Sequence, residues 1–215
     1  EYLTRVNLMY ANQSDSDTPV MLGKRVAVIG GGNTAMDAVR TSKRLGAERS
    51  VIIYRRSLEE MPARLEEIKH AQEEGVEFMN LASPIEYKPD ANGSVAKARL
   101  QRMKLGEPDA SGRRRPVPID GDIVELDVDL VIVAIGVSPN PLIPACLPGL
   151  KMTRYGTIEV NEETMQSSVP EIFAGGDIVR GGATVILAMG DGRRAAACMH
   201  RYLQEKHEKQ TGKAL

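Results

Sequence analysis

The chain has 215 residues, room for one large domain or for one domain and part of another. Its 42% hydrophobic and 27% charged residues are those of a globular protein rather than a disordered one. Lys and Arg number 28 against 29 Asp and Glu, so a net charge of −1 gives no global field to attract nucleic acid or an anionic membrane, and 4% aromatics without tryptophan disfavour a base-stacking platform or a carbohydrate cleft.

Residues 1–10 read as the end of a short helix, and Asn12 to Thr18 as a polar loop. Val26 to Ile29 is a short apolar run of the type buried on both faces of a parallel sheet. Gly30-Gly31-Gly32 ends it. Asn33 to Leu45 follows as a helix, with Ala35, Ala38, Val39 and Ser42 as a close-packing face and Gly46 as its stop. Val51 to Tyr54 is the next buried strand and closes a β–α–β unit over residues 24–56. A second helix is predicted from Pro62 to just before Gly75, with Leu65, Ile68 and Ala71 inward, and then a strand over Glu77 to Leu81.

Residues 84–128 change character and read as an antiparallel meander inserted between parallel strands. Asn92-Gly93 signals a hairpin, and a slip in the alternation near Gln101-Arg102 signals a bulge. Leu130 to Ile135 returns to a fully buried strand. Pro139, Pro141, Pro144 and Pro148 mark a boundary, giving expected domains over 1–140 and 141–215. Short strands at Thr157–Val160 and Ile172–Ala174 and a helix from about Ala183 to Lys209 complete an α/β reading, a Rossmann-like parallel sheet carrying the meander.

Gly30-Gly31-Gly32-Asn33-Thr34-Ala35 is a G-x-G-x-x-A between a buried strand and a helix. The first glycine permits the tight turn, the second lets a pyrophosphate approach the backbone, and the small third residue lets helix and strand pack closely. The helix start offers free N–H groups and positive dipole to the phosphates. The following strand ends in Arg55-Arg56, where a site selective for NAD wants a carboxylate. Two guanidiniums suit a 2′-phosphate, so NADP(H) is the expected cofactor, with Arg64 as a further contact. Asp37, one turn into the helix, reads either as a contact to nicotinamide or ribose or as a surface carboxylate favoured by the dipole.

Gly176-Asp177, after Ile172-Phe173-Ala174-Gly175, reads either as a carboxylate placed against a sugar-like hydroxyl or as a plain turn. Gly181-Gly182-Ala183-Thr184-Val185 opens a helix, an anion or carbonyl site. Arg113-Arg114-Arg115, flanked by acids and without interleaved aromatics, reads as a solvated hairpin tip rather than a nucleic-acid patch. His70, His200 and His207 lack ligand spacing, and Cys146 and Cys198 are too few for a zinc or iron–sulfur site and form no C-x-x-C. No metal site and no catalytic side chain are expected. No apolar run reaches the roughly 18 residues of a membrane span, and the expectation is a cytoplasmic protein.

These motifs carry a resemblance. Val28 to Thr41, Tyr54-Arg55-Arg56-Ser57 with Met61-Pro62-Ala63-Arg64, Gly106 to Pro118, Ile172 to Asp177 and Ala183 to Ala196 together resemble the small (β) subunit of NADPH-dependent glutamate synthase and related two-dinucleotide-domain flavoprotein reductases. The resemblance implies NADPH pyrophosphate on Gly30 to Thr34, its 2′-phosphate on Arg55-Arg56, and a second backbone approach at Ala134-Ile135-Gly136. It implies FAD against Asp177 and the Ala183-Thr184-Val185 helix start, hydride passing from nicotinamide to flavin, and electrons going onward to a partner such as the large amidotransferase subunit. A ferredoxin:NADP reductase, a sulfide dehydrogenase subunit, or an isolated NADP(H)-binding module without activity are the rival readings. The family's N-terminal iron–sulfur region and FAD glycine loop are not found in these 215 residues. Residues 141–215 are therefore expected to be the closing segment of an FAD-binding domain, with FAD incompletely held by this chain and self-association through residues 150–215.

Overall fold

The computed structural model describes residues 1–109 and 112–212. Its internal contacts divide the chain after Ile135 into two units, 1–135 and 136–215.

The first unit opens with helix α1 (Tyr2–Asn7), followed by β1 (Arg25–Ile29), α2 (Asn33–Arg44), β2 (Arg49–Tyr54), a 3-10 turn (Leu58–Glu60), α3 (Leu65–Glu73) and β3 (Glu77–Asn80). Then come the meander strands β4 (Ala82–Pro89), β5 (Val95–Pro108) and β6 (Arg114–Asp127), and β7 (Leu130–Val133). The parallel sheet has the order β3-β2-β1-β7, with Val28 opposite Ile52 on one side and Ile132 on the other. The meander forms a separate antiparallel sheet in the order β4-β5-β6.

Period-two alternation sends successive residues of β1 and β2 to opposite faces. Val26, Val28, Ile52 and Tyr54 pack with Ala35, Met36 and Val39 of α2 and with Ile68 and Ala71 of α3. Ala27, Ile29, Val51 and Ile53 pack instead against Ala98, Leu100, Leu126 and Val128 of the meander. The meander thus occupies the layer that a helix would otherwise cover, and β1 and β2 are apolar at almost every position because both faces are dry. Each such aliphatic side chain contributes about 1.5–3 kcal/mol by leaving water. Arg40 bridges α2 to α3 through Glu67 at 2.7 Å and Glu74 at 2.9 Å.

Several expectations need correcting. Helix α3 begins at Leu65, not Pro62, because the Ala63 N–H donates to the Gly31 carbonyl and the Arg64 N–H to Asn33 Oδ1, which holds 61–64 against the glycine turn. Leu65, expected to point inward, is 79% exposed. Strand β7 is an edge strand, so Val133 and Ile135 are largely exposed rather than fully buried. The expected bulge is present, with a register shift between Gln101 and Met103, and the turn over Asp90–Gly93 closes the β4–β5 hairpin.

In the second unit, α4 (Leu142–Cys146) and a single turn, α5 (Asp177–Arg180), precede the long α6 (Val185–Thr211). The expected strands at 157–160 and 172–174 are reduced to isolated bridges, Met152–Ile158, Val160–Ser167 and Gln166–Phe173. The Phe173 ring meets Tyr202 of α6 edge-on at 5.6 Å. Among the described residues no helix is long and apolar enough to cross a membrane, and no group of three His, Cys, Asp or Glu side chains is placed to hold a metal.

Candidate functional site

The turn after β1 lies at the carboxyl ends of the parallel strands, where the loops of an open α/β sheet form its binding crevice. Its three glycines do different work. Gly30 has φ +140°, and a Cβ there would sit 2.3 Å from the Ala134 carbonyl oxygen. A Cβ on Gly31 would strike the Tyr54 ring at 2.7 Å. On Gly32 it would meet nothing within 4 Å. Gly32 is the N-cap of α2 and no side chain caps the helix; the first turn carries no acidic residue. Among the described residues, the backbone N–H groups of Gly31, Gly32, Asn33 and Thr34 find no acceptor. Ala35 is fully buried, which lets the helix sit close on the strand. Open space over Gly32 and a fan of free donors at a helix start are what a pyrophosphate needs, and in this respect the residues present fit the nucleotide that the sequence implies.

Side chains at the tip of β2 diverge. Arg55 and Arg64 are exposed, and neither side chain has a hydrogen bond or ion pair among the described residues. Arg56 is only 5% exposed. Its Nη2 donates to Asp109 Oδ2 at 2.6 Å and its Nε to the Arg114 carbonyl at 2.8 Å. Arg114 in turn donates to Glu60 Oε1 at 2.8 Å. Of the arginine triplet, Arg114 and Arg115 are exposed as expected, and Arg114 also ties the β5–β6 end to the 56–60 turn. Asp37 is exposed on α2 with Glu67 and Arg40 as its charged neighbours; partial burial and the Glu67 charge raise its pKa against the opposing pull of Arg40.

Ala134 donates its N–H to the Ile29 carbonyl and brings its own carbonyl against Gly30, so 134–135 run beside the glycine turn; Ile135 is exposed, and Gly136, with φ +105°, begins the second unit.

In the second unit Asp177 is exposed and Oδ1 accepts from the Ala183 N–H at 3.3 Å. Thr184 caps α6, its Oγ1 accepting from the Leu187 N–H. That leaves the Val185 and Ile186 N–H groups at the helix start without an acceptor among the described residues. Gly176 has φ +75°, and its N–H donates to Asp191 Oδ2 at 3.0 Å. Asp191 is 2% exposed and also takes Arg180 at 2.5 Å and Arg194 at 2.7 Å. These bonds hold its carboxyl far below the usual aspartate range. Sequence reasoning assigned Asp191 no role, although its i,i+3 spacing to Arg194 is a readable signal.

A strand, a glycine turn with free amides, a helix and a second parallel strand put the first unit in the class of Rossmann-like nucleotide-binding α/β folds. The chain belongs to the pyridine nucleotide-disulphide oxidoreductase family, matching it over residues 3–192. It is 45% identical to the NADP(+)-dependent formate dehydrogenase subunit beta of Moorella thermoacetica, over 87% of this chain and 26% of that protein. It is 44% identical to the glutamate synthase (NADPH) small chain of Azospirillum brasilense, over 86% of this chain and 38% of that protein. The expected resemblance to glutamate synthase small subunits therefore holds, and the chain spans between about a quarter and a half of the curated relatives it matches. Among solved structures, T. acidophilum thioredoxin reductase superposes with a TM-score of 0.68 at 22% identity, covering 83% of this chain and 52% of that one. FprA of Mycobacterium tuberculosis in complex with NADPH gives 0.67 at 20%, covering 92% and 56%. These two establish the fold.

Proposed function

We propose that the first unit binds NADP(H) and serves an NADPH-dependent flavoprotein oxidoreductase of the glutamate-synthase small-subunit kind. The observation that carries this reading is the conjunction, in one unit, of four N–H groups from Gly31 to Thr34 with the guanidiniums of Arg55 and Arg64, all without a partner among the described residues. The amides and the α2 dipole hold the pyrophosphate, and Arg55, with Arg64, takes the 2′-phosphate by charge-assisted hydrogen bonds. Arg56 is already committed to Asp109 and acts through the shape of the turn rather than on the phosphate.

When bound, a reduced nicotinamide supplies a hydride and a flavin accepts it; the protein's share is binding and alignment. In the second unit Asp177 and the free amides of Val185 and Ile186 fit a flavin partner, the former for a hydroxyl of its side chain, the latter for a carbonyl edge. The names of the relatives differ in the electron acceptor they imply, so onward transfer to a partner subunit belongs to the whole protein, and an isolated nucleotide-binding module is the competing reading for these 215 residues.

The test is a pair of titrations with NADPH and NADH on the wild-type chain and on Arg55→Ala. A lost charge-assisted contact of roughly 1.5–3 kcal/mol weakens NADPH by about tenfold or more, with NADH nearly unmoved. Equal affinity for both cofactors in the wild type removes the assignment.

A further inference from the structure

The 55–64 segment, which carries both free arginines, is tied on two sides. On one side it is fastened to the glycine turn by the Ala63 N–H on the Gly31 carbonyl and the Arg64 N–H on Asn33 Oδ1. On the other it is fastened to a hairpin end whose contacts are more than fifty residues away in sequence: Arg56 to Asp109 and the Arg114 carbonyl, and Arg114 to Glu60. The second set continues inward. Glu60 Oε2 accepts from Ser57 Oγ at 2.8 Å, and the Glu60 carbonyl accepts from the Tyr54 hydroxyl at 2.9 Å. The Tyr54 ring is the group that leaves no room for a Cβ on Gly31. Lower on the same hairpin, the Met103 N–H donates to the Leu81 carbonyl, and the Leu81 N–H donates to the Arg56 carbonyl.

Two features separate this from ordinary packing. The β5–β6 body packs under the parallel sheet through Ala98, Leu100 and Leu126, so it is anchored without the tip. Among the described residues, the contacts named above for Asp109 and Arg114 are charged or polar, and they fall on the segment bearing Arg55 and Arg64. A buried guanidinium with a fixed carboxylate is a costly way to add stability and a good way to fix one geometry.

We propose that Asp109 and Arg114 are positioning residues for cofactor discrimination: through Arg56 and Glu60 the hairpin tip fixes the loop that presents Arg55 and Arg64 to a 2′-phosphate. This rests on the NADP(H) reading above and adds a determinant outside the β–α–β unit. A loop held in its binding conformation spends less of its interaction energy on ordering. Asp109→Asn and Arg114→Gln then reduce affinity for a nucleotide bearing the 2′-phosphate and leave the rest of the site alone.

The experiment titrates the full chain with adenosine 2′,5′-bisphosphate and with adenosine 5′-monophosphate. The wild type prefers the bisphosphate, and Arg55→Ala removes the preference. Asp109→Asn and Arg114→Gln weaken the bisphosphate about tenfold and the monophosphate by less than about twofold, as expected for one mispositioned charged contact, and Asp109→Glu recovers part of the loss. A wild type without preference overturns the NADP(H) reading and this inference with it. A preference that Arg55→Ala abolishes but that both tip variants keep overturns this inference alone. So do equal losses on both probes, which mark a purely structural tip, and a gain on the bisphosphate, which makes Arg56 a phosphate ligand withheld by Asp109. Should thermal melts show that Asp109→Asn, with its buried unpaired arginine, does not fold, Arg114→Gln at a half-exposed position decides the matter by the same outcomes.

Discussion

Three consecutive glycines are chemically identical in the sequence and physically unlike in the fold. Gly30 is required by its positive φ and by the Ala134 carbonyl, Gly31 by the Tyr54 ring, and Gly32 by nothing in the protein itself. The consequences separate cleanly. Gly30→Ala is expected to lose at least about 2 kcal/mol of stability from strain and backbone collision, read as a lower denaturation midpoint. Gly32→Val should cost less than about 1 kcal/mol, the scale of an altered N-cap, yet abolish NADPH and NADH binding alike. Calorimetric titration beside a thermal melt tells the two apart, and a Gly32→Val protein that still binds would reduce the motif to a turn. At this scale the sequence was a good guide to which residues gather: Gly30 to Thr34, Arg55, Arg64 and Ala134 lie around one turn. It could not distinguish Arg55 from Arg56. Just past the end of β2, Arg55 is exposed while Arg56 is buried and claimed by Asp109, 53 positions away, a pairing that local pattern does not carry.

Among whole elements, legibility followed the range of the forces that set them. β1, α2 and β2 were readable because continuous apolar runs and a glycine stop are local signals. The start of α3 was not, because hydrogen bonds to the glycine turn, 31 residues earlier in the chain for the Arg64–Asn33 contact, override the helix preference of Pro62. The short strands of the second unit were overread: Thr157–Val160 and Ile172–Ala174 have strand-like composition but pair only at single bridges. Helix α6 depends instead on Asp191, which pins it to the Gly176 turn and to Arg180. The folded-state pKa of Asp191 is depressed, chiefly by Arg180 and Arg194, so its contribution is complete above the ordinary aspartate value and is lost as pH falls below it. The stability difference between the wild type and Asp191→Asn should accordingly stay constant from neutral pH to about 5, then shrink below about 4. Melts across that range, with hydrogen exchange followed at Gly176, provide the check, and a difference that does not vary with pH would mean the carboxylate's charge contributes nothing.

At the scale of the molecule, apolar surface tells the rest. In the first unit the edge strand β7 and the residues just after it leave Val133 at 61% and Ile135 at 73% exposed, and in the second the opening turns of α6 expose Val185 at 75%, Ile186 at 81% and Met189 at 64%. Aliphatic side chains clustered on one helix start are uncommon on a stable monomer, and an open strand edge invites pairing with another chain. Among the described residues, the groups proposed to meet a flavin in the second unit are few: one exposed carboxylate, already holding the Ala183 N–H, and the free amides at the start of α6. A dinucleotide is held chiefly by its pyrophosphate at a glycine turn, and the described residues offer one such β–α–β turn, the one assigned here to NADP(H). The purified 215-residue chain should therefore titrate with NADPH, lose any flavin colour on dialysis, and self-associate with rising concentration. Charge placed on the patch separates the last effect from general instability. Ile186→Glu should shift the sedimentation distribution toward monomer while leaving the melting temperature and NADPH affinity in place, because Ile186 touches water rather than core. A monomeric wild type that keeps stoichiometric flavin through dialysis would instead show that Asp177 and the α6 start suffice to hold it.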